Sequence, residues 1–169
     1  ARYSSGSAAD PATRQPDYNR SFEFESNDPV GGVLLLHGMS DSPYSLHALG
    51  EKLRDEGYWV IGIRLPGHGT APGARKRATW RDMAAATRLA MDHLEDKVGD
   101  GPIHIAGYST GAPLALDLTL NSFDDEDLRT PNSLILISPA IGVSSAAALA
   151  RPAAAFGRVP GLSRLGWSA

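Results

Sequence analysis

Four short apolar runs punctuate the chain: residues 32–37 (GVLLLH), 58–64 (YWVIGIR), 102–108 (PIHIAGY) and 133–138 (SLILIS). Uninterrupted runs of this length suit parallel strands covered on both faces, so each predicts a buried strand. Residues 20–26 alternate Phe22 and Phe24 with polar residues, the period-two pattern of an edge strand. Between these runs the period becomes helical. Residues 42–56 bring Leu46, Leu49 and Leu53 to one stripe, with Ser42 as candidate cap, Pro43 at the first helical position and Gly57 as terminator. Residues 79–98 predict a long helix capped by Thr79, with Met83, Ala86, Leu89, Ala90 and Leu94 turned inward. Residues 112–121 predict a third helix, entered through a sharp turn at Ser109. Strands alternating with helices imply βαβ units with right-handed crossovers. The expected fold class is α/β, a three-layer α/β/α sandwich around a mostly parallel sheet.

The pattern fades at both ends. Residues 1–19 are polar and rich in Ser, Ala and Pro, and predict a flexible N-terminal arm. Residues 20–140 make the expected core. Residues 141–169 scatter Leu149, Phe156, Leu162, Leu165 and Trp167 among Ala, Ser, Gly and Pro, and predict the start of an apolar cap or a frayed tail.

Composition narrows the chemistry. A chain of 169 residues with 42% hydrophobic and 21% charged residues suits one soluble globular domain. The net charge of -3 argues against nucleic acid as a partner. Arg75, Lys76, Arg77 and Arg81 around Trp80 form too short a patch to change that, and read as loop surface. No apolar run approaches the about 20 residues of a transmembrane helix. The absence of cysteine excludes disulfides, thiolate metal sites and a cysteine nucleophile. Asp124, Asp125, Glu126 and Asp127 lack the glycine-spaced pattern of a calcium loop and read as a solvated loop. The chain opens on Ala1 and a polar arm, which leaves both a cytoplasmic location and export after leader removal open.

The segment Gly107-Tyr108-Ser109-Thr110-Gly111 is a G-x-S-x-G sequence between an apolar strand and an apolar helix. Such a turn aims a serine Oγ out of the sheet, and its two glycines let strand and helix pass closely. Ser109 is the candidate nucleophile. Residues 37–43 (HGMSDSP) come after the first apolar run and open the next helix. A tetrahedral oxyanion needs two preorganised donors, and the backbone N–H groups of Met39 and Thr110 are the candidates. Gly38 leaves room for substrate, and His37 is expected to bond loop backbone rather than to act as base. Ser40, Asp41 and Ser42 suit a turn and a helix cap.

With these motifs, Pro66-Gly67-His68-Gly69 completes a set that resembles the α/β-hydrolase superfamily, in particular carboxylesterases and monoacylglycerol-lipase or lysophospholipase-like enzymes. The resemblance spans about residues 20 to 140. It implies a small ester substrate with an acyl chain, no metal and no cofactor, and a structural role for the loop that holds His68. It also implies a triad in the order Ser, acid, His, with the last two beyond the strand at residues 133–138. Residues 139–169 contain no Asp, Glu or His. His47 and His93 fall on helices remote from the turn, and His104 reads as a core histidine on the strand below Ser109. The triad acid and histidine are therefore expected outside this chain, and the sheet is expected to be incomplete on its C-terminal side until a downstream segment or second chain completes it. The expected activity is ester hydrolysis through an acyl-Ser109 intermediate. Two alternatives stay open: a non-catalytic binding module on this fold, and another enzyme class such as a peptidase or haloperoxidase.

Overall fold

The computed structural model describes residues 18–69 and 73–140. The predicted cap, most of the N-terminal arm and residues 70–72 lie outside the described residues. The described elements belong to one compact unit, Ala1–Pro139. In chain order they are β1 (Phe22–Phe24), β2 (Gly32–Leu36), α1 (His47–Asp55), β3 (Trp59–Ile63), α2 (Trp80–Val98), β4 (Ile103–Tyr108), α3 (Gly111–Asn121) and β5 (Ser133–Ile137). The sheet order is β1-β3-β2-β4-β5. Strand β1 runs antiparallel to β3, and the other pairs are parallel.

Alternation along β2 divides the core between the two faces. Leu34 and Leu36 join Ile61, Ile105, Met91, Leu94 and Leu114 on the face covered by α2 and α3. Val33 and Leu35 join Val60, Ala106 and Leu46 on the face covered by α1. This is the expected three-layer sandwich. The edge strand β1 is tied in by Glu23, whose Oε1 accepts from Trp59 Nε1 at 2.8 Å and lies 3.0 Å from His93 Nε2.

Three expectations shift. The helix after β2 begins as a 3-10 turn, Pro43–Leu46, which changes the angular phase of α1. Leu49 therefore faces outward, and Gly50 is the buried residue, with the Phe22 and Phe24 rings over it. Ser42 makes no side-chain cap bond; its own N–H donates to Asp41 Oδ1 at 2.9 Å. On α2 the Thr79 cap forms as a reciprocal box with Asp82, but Leu89 is 70% exposed. Thr87 and Met91 hold the inner stripe with Met83, Ala90 and Leu94. The Thr87 hydroxyl is satisfied there by Met83 O at 2.9 Å. Finally, β5 is an edge strand in the described sheet and is covered on one face. Leu134 and Leu136 pack on the core while Ile135 and Ile137 remain 52% and 37% exposed.

Candidate active site

Topology brings the two motifs together at the carboxyl ends of β2 and β4. Helix α1 leaves β2 toward one face of the sheet, and α3 leaves the neighbouring strand β4 toward the other. In open α/β sheets, connections that diverge in this way mark the usual ligand position, outside the carboxyl ends of the strands. Register does the rest. Leu36 pairs with Gly107, so two residues further on Gly38 comes beside Ser109. A Cβ placed on Gly38 would stand 3.2 Å from Ser109 Cβ and 3.2 Å from the Tyr108 ring.

Ser109 has φ 51, in the left-handed region that L side chains rarely adopt. Strain of this kind costs on the order of 1–3 kcal/mol and persists where surrounding contacts impose it. Here the Ser109 N–H donates to Ile137 O at 2.9 Å, and Ser109 O accepts from Ala112 N at 3.2 Å. The two flanking glycines cannot be replaced without movement. A Cβ on Gly107 would strike the carbonyl of Gly111, and one on Gly111 would strike the carbonyl of Leu36. The strand, the elbow and the helix thus close against β2. Among the described non-glycine residues, only Ser138 shares a positive φ, at 45. It stands just after β5, so two strained serines end neighbouring strands on one rim. Nothing in the local sequence signals the strain at Ser138.

The N–H groups of Met39 and Thr110 make no hydrogen bond among the described residues. Thr110 stands at the N-cap of α3, where helix amide groups and the helix dipole favour negative charge. The turn carrying Met39 is closed by Asp41 N–H donating to Gly38 O at 3.2 Å. His37 is fully buried and bonds backbone at both ring nitrogens. Leu65 N–H donates to Nε2 at 3.1 Å, and Nδ1 donates to Gly38 O at 2.8 Å. That pattern requires the neutral ring. Burial pushes its pKa below the ordinary value, the bond to Gly38 opposes this, and neighbouring His68 adds to the lowering.

The other histidines do not meet Ser109, whose Oγ has no hydrogen-bond partner among the described residues. His68 is 4% exposed; its Nδ1 donates to Pro66 O at 2.9 Å, and its Nε2 is buried without a partner among the described residues. His47 packs edge-on against Phe22 and Phe24. His104 differs from the expected core residue: it is half-buried and bonds Ser133 Oγ at 2.7 Å. It lies five residues before Ser109 on β4, about 16 Å along a strand. Arg75, which reads from sequence as loop surface, donates from Nη1 to Met39 O at 3.1 Å. That contact joins positions 36 residues apart, and no sequence pattern announces it.

Residues 27–165 match the serine aminopeptidase S33 family. The chain belongs to this family of α/β-hydrolases. A thermostable monoacylglycerol lipase of Bacillus sp. (strain H-257) is 36% identical over 95 residues, 56% of this chain and 37% of the relative. Lipase LipV of Mycobacterium tuberculosis is 32% identical over 114 residues, 66% of this chain and 38% of the relative. A solved structure from work on the metagenome-derived lipolytic enzymes LipS and LipT superposes with a TM-score of 0.65 at 29% identity, covering 78% of this chain and 50% of that one. The chain thus spans less than half the length of these two curated relatives. Among the described residues, no helix is long and apolar enough to cross a membrane.

Proposed function

We propose that this chain supplies the nucleophile and oxyanion donors of a serine hydrolase that cleaves carboxylic esters. The observation that carries the reading is Ser109, held at positive φ at the head of α3 and facing the Gly38 turn. Ser109 Oγ attacks the ester carbonyl carbon and its proton passes to a histidine. The N–H groups of Met39 and Thr110 hold the oxygen that becomes negative. The tetrahedral intermediate collapses to an acyl-serine as the alcohol leaves with a proton, and water then releases the acid. The base and its orienting acid come from a segment outside these 169 residues, because no described histidine bonds Ser109 and residues 139–169 carry neither group. Short- and medium-chain esters or monoacylglycerols are the proposed substrates, in line with the lipase names of the relatives.

The family's name, that of an aminopeptidase, favours a second reading in which an amide is cleaved. Matched ester and anilide substrates decide between them in the full-length protein. Faster ester turnover is expected, and Ser109→Ala lowers kcat by about 10⁶-fold. Faster anilide turnover would favour the peptidase. Activity that survives Ser109→Ala overturns the assignment of the nucleophile.

A further inference from the structure

The oxyanion donor at Met39 is useful only if its peptide is held before the reaction starts. A trans peptide points its N–H opposite to its C=O. The Gly38 carbonyl is fixed from two sides, by the His37 ring at 2.8 Å and by Asp41 N–H at 3.2 Å. Those bonds set the direction of the Met39 N–H. The next peptide plane, beginning at the Met39 carbonyl, is not part of that arrangement. Its oxygen accepts from Arg75 Nη1 at 3.1 Å.

Arg75 is itself placed by the loop after β3. It lies in a 3-10 turn, Ala74–Lys76, and Arg77 N–H closes that turn on Ala74 O at 3.1 Å. Gly67, at φ 79, lies so close that a Cβ there would stand 3.0 Å from Arg75 Cα and 2.8 Å from Ala78 Cβ. The same loop reaches the oxyanion turn a second time, through Leu65 N–H on His37 Nε2 at 3.1 Å. Two separate bonds therefore tie the loop after β2 to the loop after β3, one on each side of Met39.

We propose that Arg75 is a positioning residue for the oxyanion turn. It holds the peptide after Met39 and so keeps the Met39 N–H aimed at the developing negative charge. This rests on the serine-hydrolase reading above. Met39 and Arg75 are both exposed, so the bond contributes little to global stability, and its effect belongs in the chemical step.

The experiment uses full-length wild type, Arg75→Ala and Arg75→Lys, with ester kinetics, the rate at which a phosphonate labels Ser109, and the urea midpoint. Loss of a complete oxyanion donor costs about 10²–10³-fold in kcat, and loosening one is expected to cost about tenfold. Arg75→Ala should lower kcat and the labelling rate together, leave KM within about twofold, and leave the urea midpoint unchanged. Arg75→Lys, which keeps one donor and the charge, should restore most of the rate. A rise in KM with unchanged kcat would assign Arg75 to substrate binding and overturn the proposal. Unchanged kcat and labelling in Arg75→Ala, or a loss that tracks a lowered midpoint, overturns it too. Wild type that is not labelled at Ser109 removes the hydrolase reading and this one together.

Discussion

A histidine that spends both ring nitrogens on backbone cannot also take a proton from a serine. His37 spends them on Gly38 O and Leu65 N–H, so its contribution is to hold two loops in register. The neutral ring it needs gives a pH signature. Because its folded pKa lies below the ordinary value of 6.5, the unfolded chain binds more protons between the two values. Stability from this group is complete above about pH 6.5 and falls as pH drops through the depressed value. We expect the urea midpoint of the wild type to fall more steeply between about pH 7 and 5 than that of His37→Asn. Equal slopes would show that the ring is not held neutral. Ser109, Gly107 and Gly111 are legible because an elbow is a local motif whose steric demands lie within five residues. The contact of Arg75 with Met39 and the positive φ of Ser138 are not, because both come from what the fold brings beside them.

At the scale of elements, helix α2 shows where pattern reading succeeds and where it slips. Its N-terminus is stated by chemistry: Thr79 Oγ1 accepts from Asp82 N–H at 3.2 Å, and the Asp82 carboxylate accepts from Thr79 N–H at 2.8 Å. Its inner face is a matter of angle. At about 100° per residue, Leu89 falls opposite the centre of the stripe formed by Met83, Thr87, Ala90, Met91 and Leu94. Choosing residues by hydrophobicity favours Leu89 over Thr87, yet the side of the helix decides burial. Met91→Ala should cost about 2–4 kcal/mol in urea unfolding through lost packing against the sheet. Leu89→Ala should change stability by no more than about 0.5 kcal/mol. Similar losses at both positions would mean that another part of the protein covers the Leu89 face. Helix α1 repeats the point through its 3-10 start, which rotates Leu49 outward and brings Gly50 under the two phenylalanine rings.

At the scale of the whole molecule, β5 is the outermost strand on one side of the sheet among the described residues. Strand β5 pairs with β4 along one edge, and Ile135 and Ile137 stand partly exposed on the face away from α3. An apolar strand edge of this kind pairs readily with another strand. The proposed source of the triad acid and histidine lies with whatever completes that side. A polypeptide of residues 1–169 should therefore hydrolyse esters at no more than about 10³–10⁴ times the uncatalysed rate, the residue left by an oxyanion hole and binding alone. The chain supplied with the segment carrying the acid and base should recover full kcat. Full activity from residues 1–169 alone would force one of its own histidines into the base role, and His68, whose buried Nε2 lacks a partner among the described residues, would be the first to test.

The sequence by itself determined the order of strands and helices, the three-layer class and the choice of Ser109 as candidate nucleophile. Each of these rests on local periodicity or on a turn whose glycines are demanded by contacts close to it. Tertiary structure decided the rest. Pairing of Leu36 with Gly107 brings Gly38 to Ser109, although the two motifs are some seventy residues apart in the chain. Packing leaves Ile135 and Ile137 of β5 partly exposed where the unbroken apolar run suggests a strand covered on both faces. The loop after β3 reaches back to the turn that carries His37 and Met39, through Arg75 and Leu65. Such contacts depend on which surfaces the packed elements present to each other, and no window along the chain contains that information.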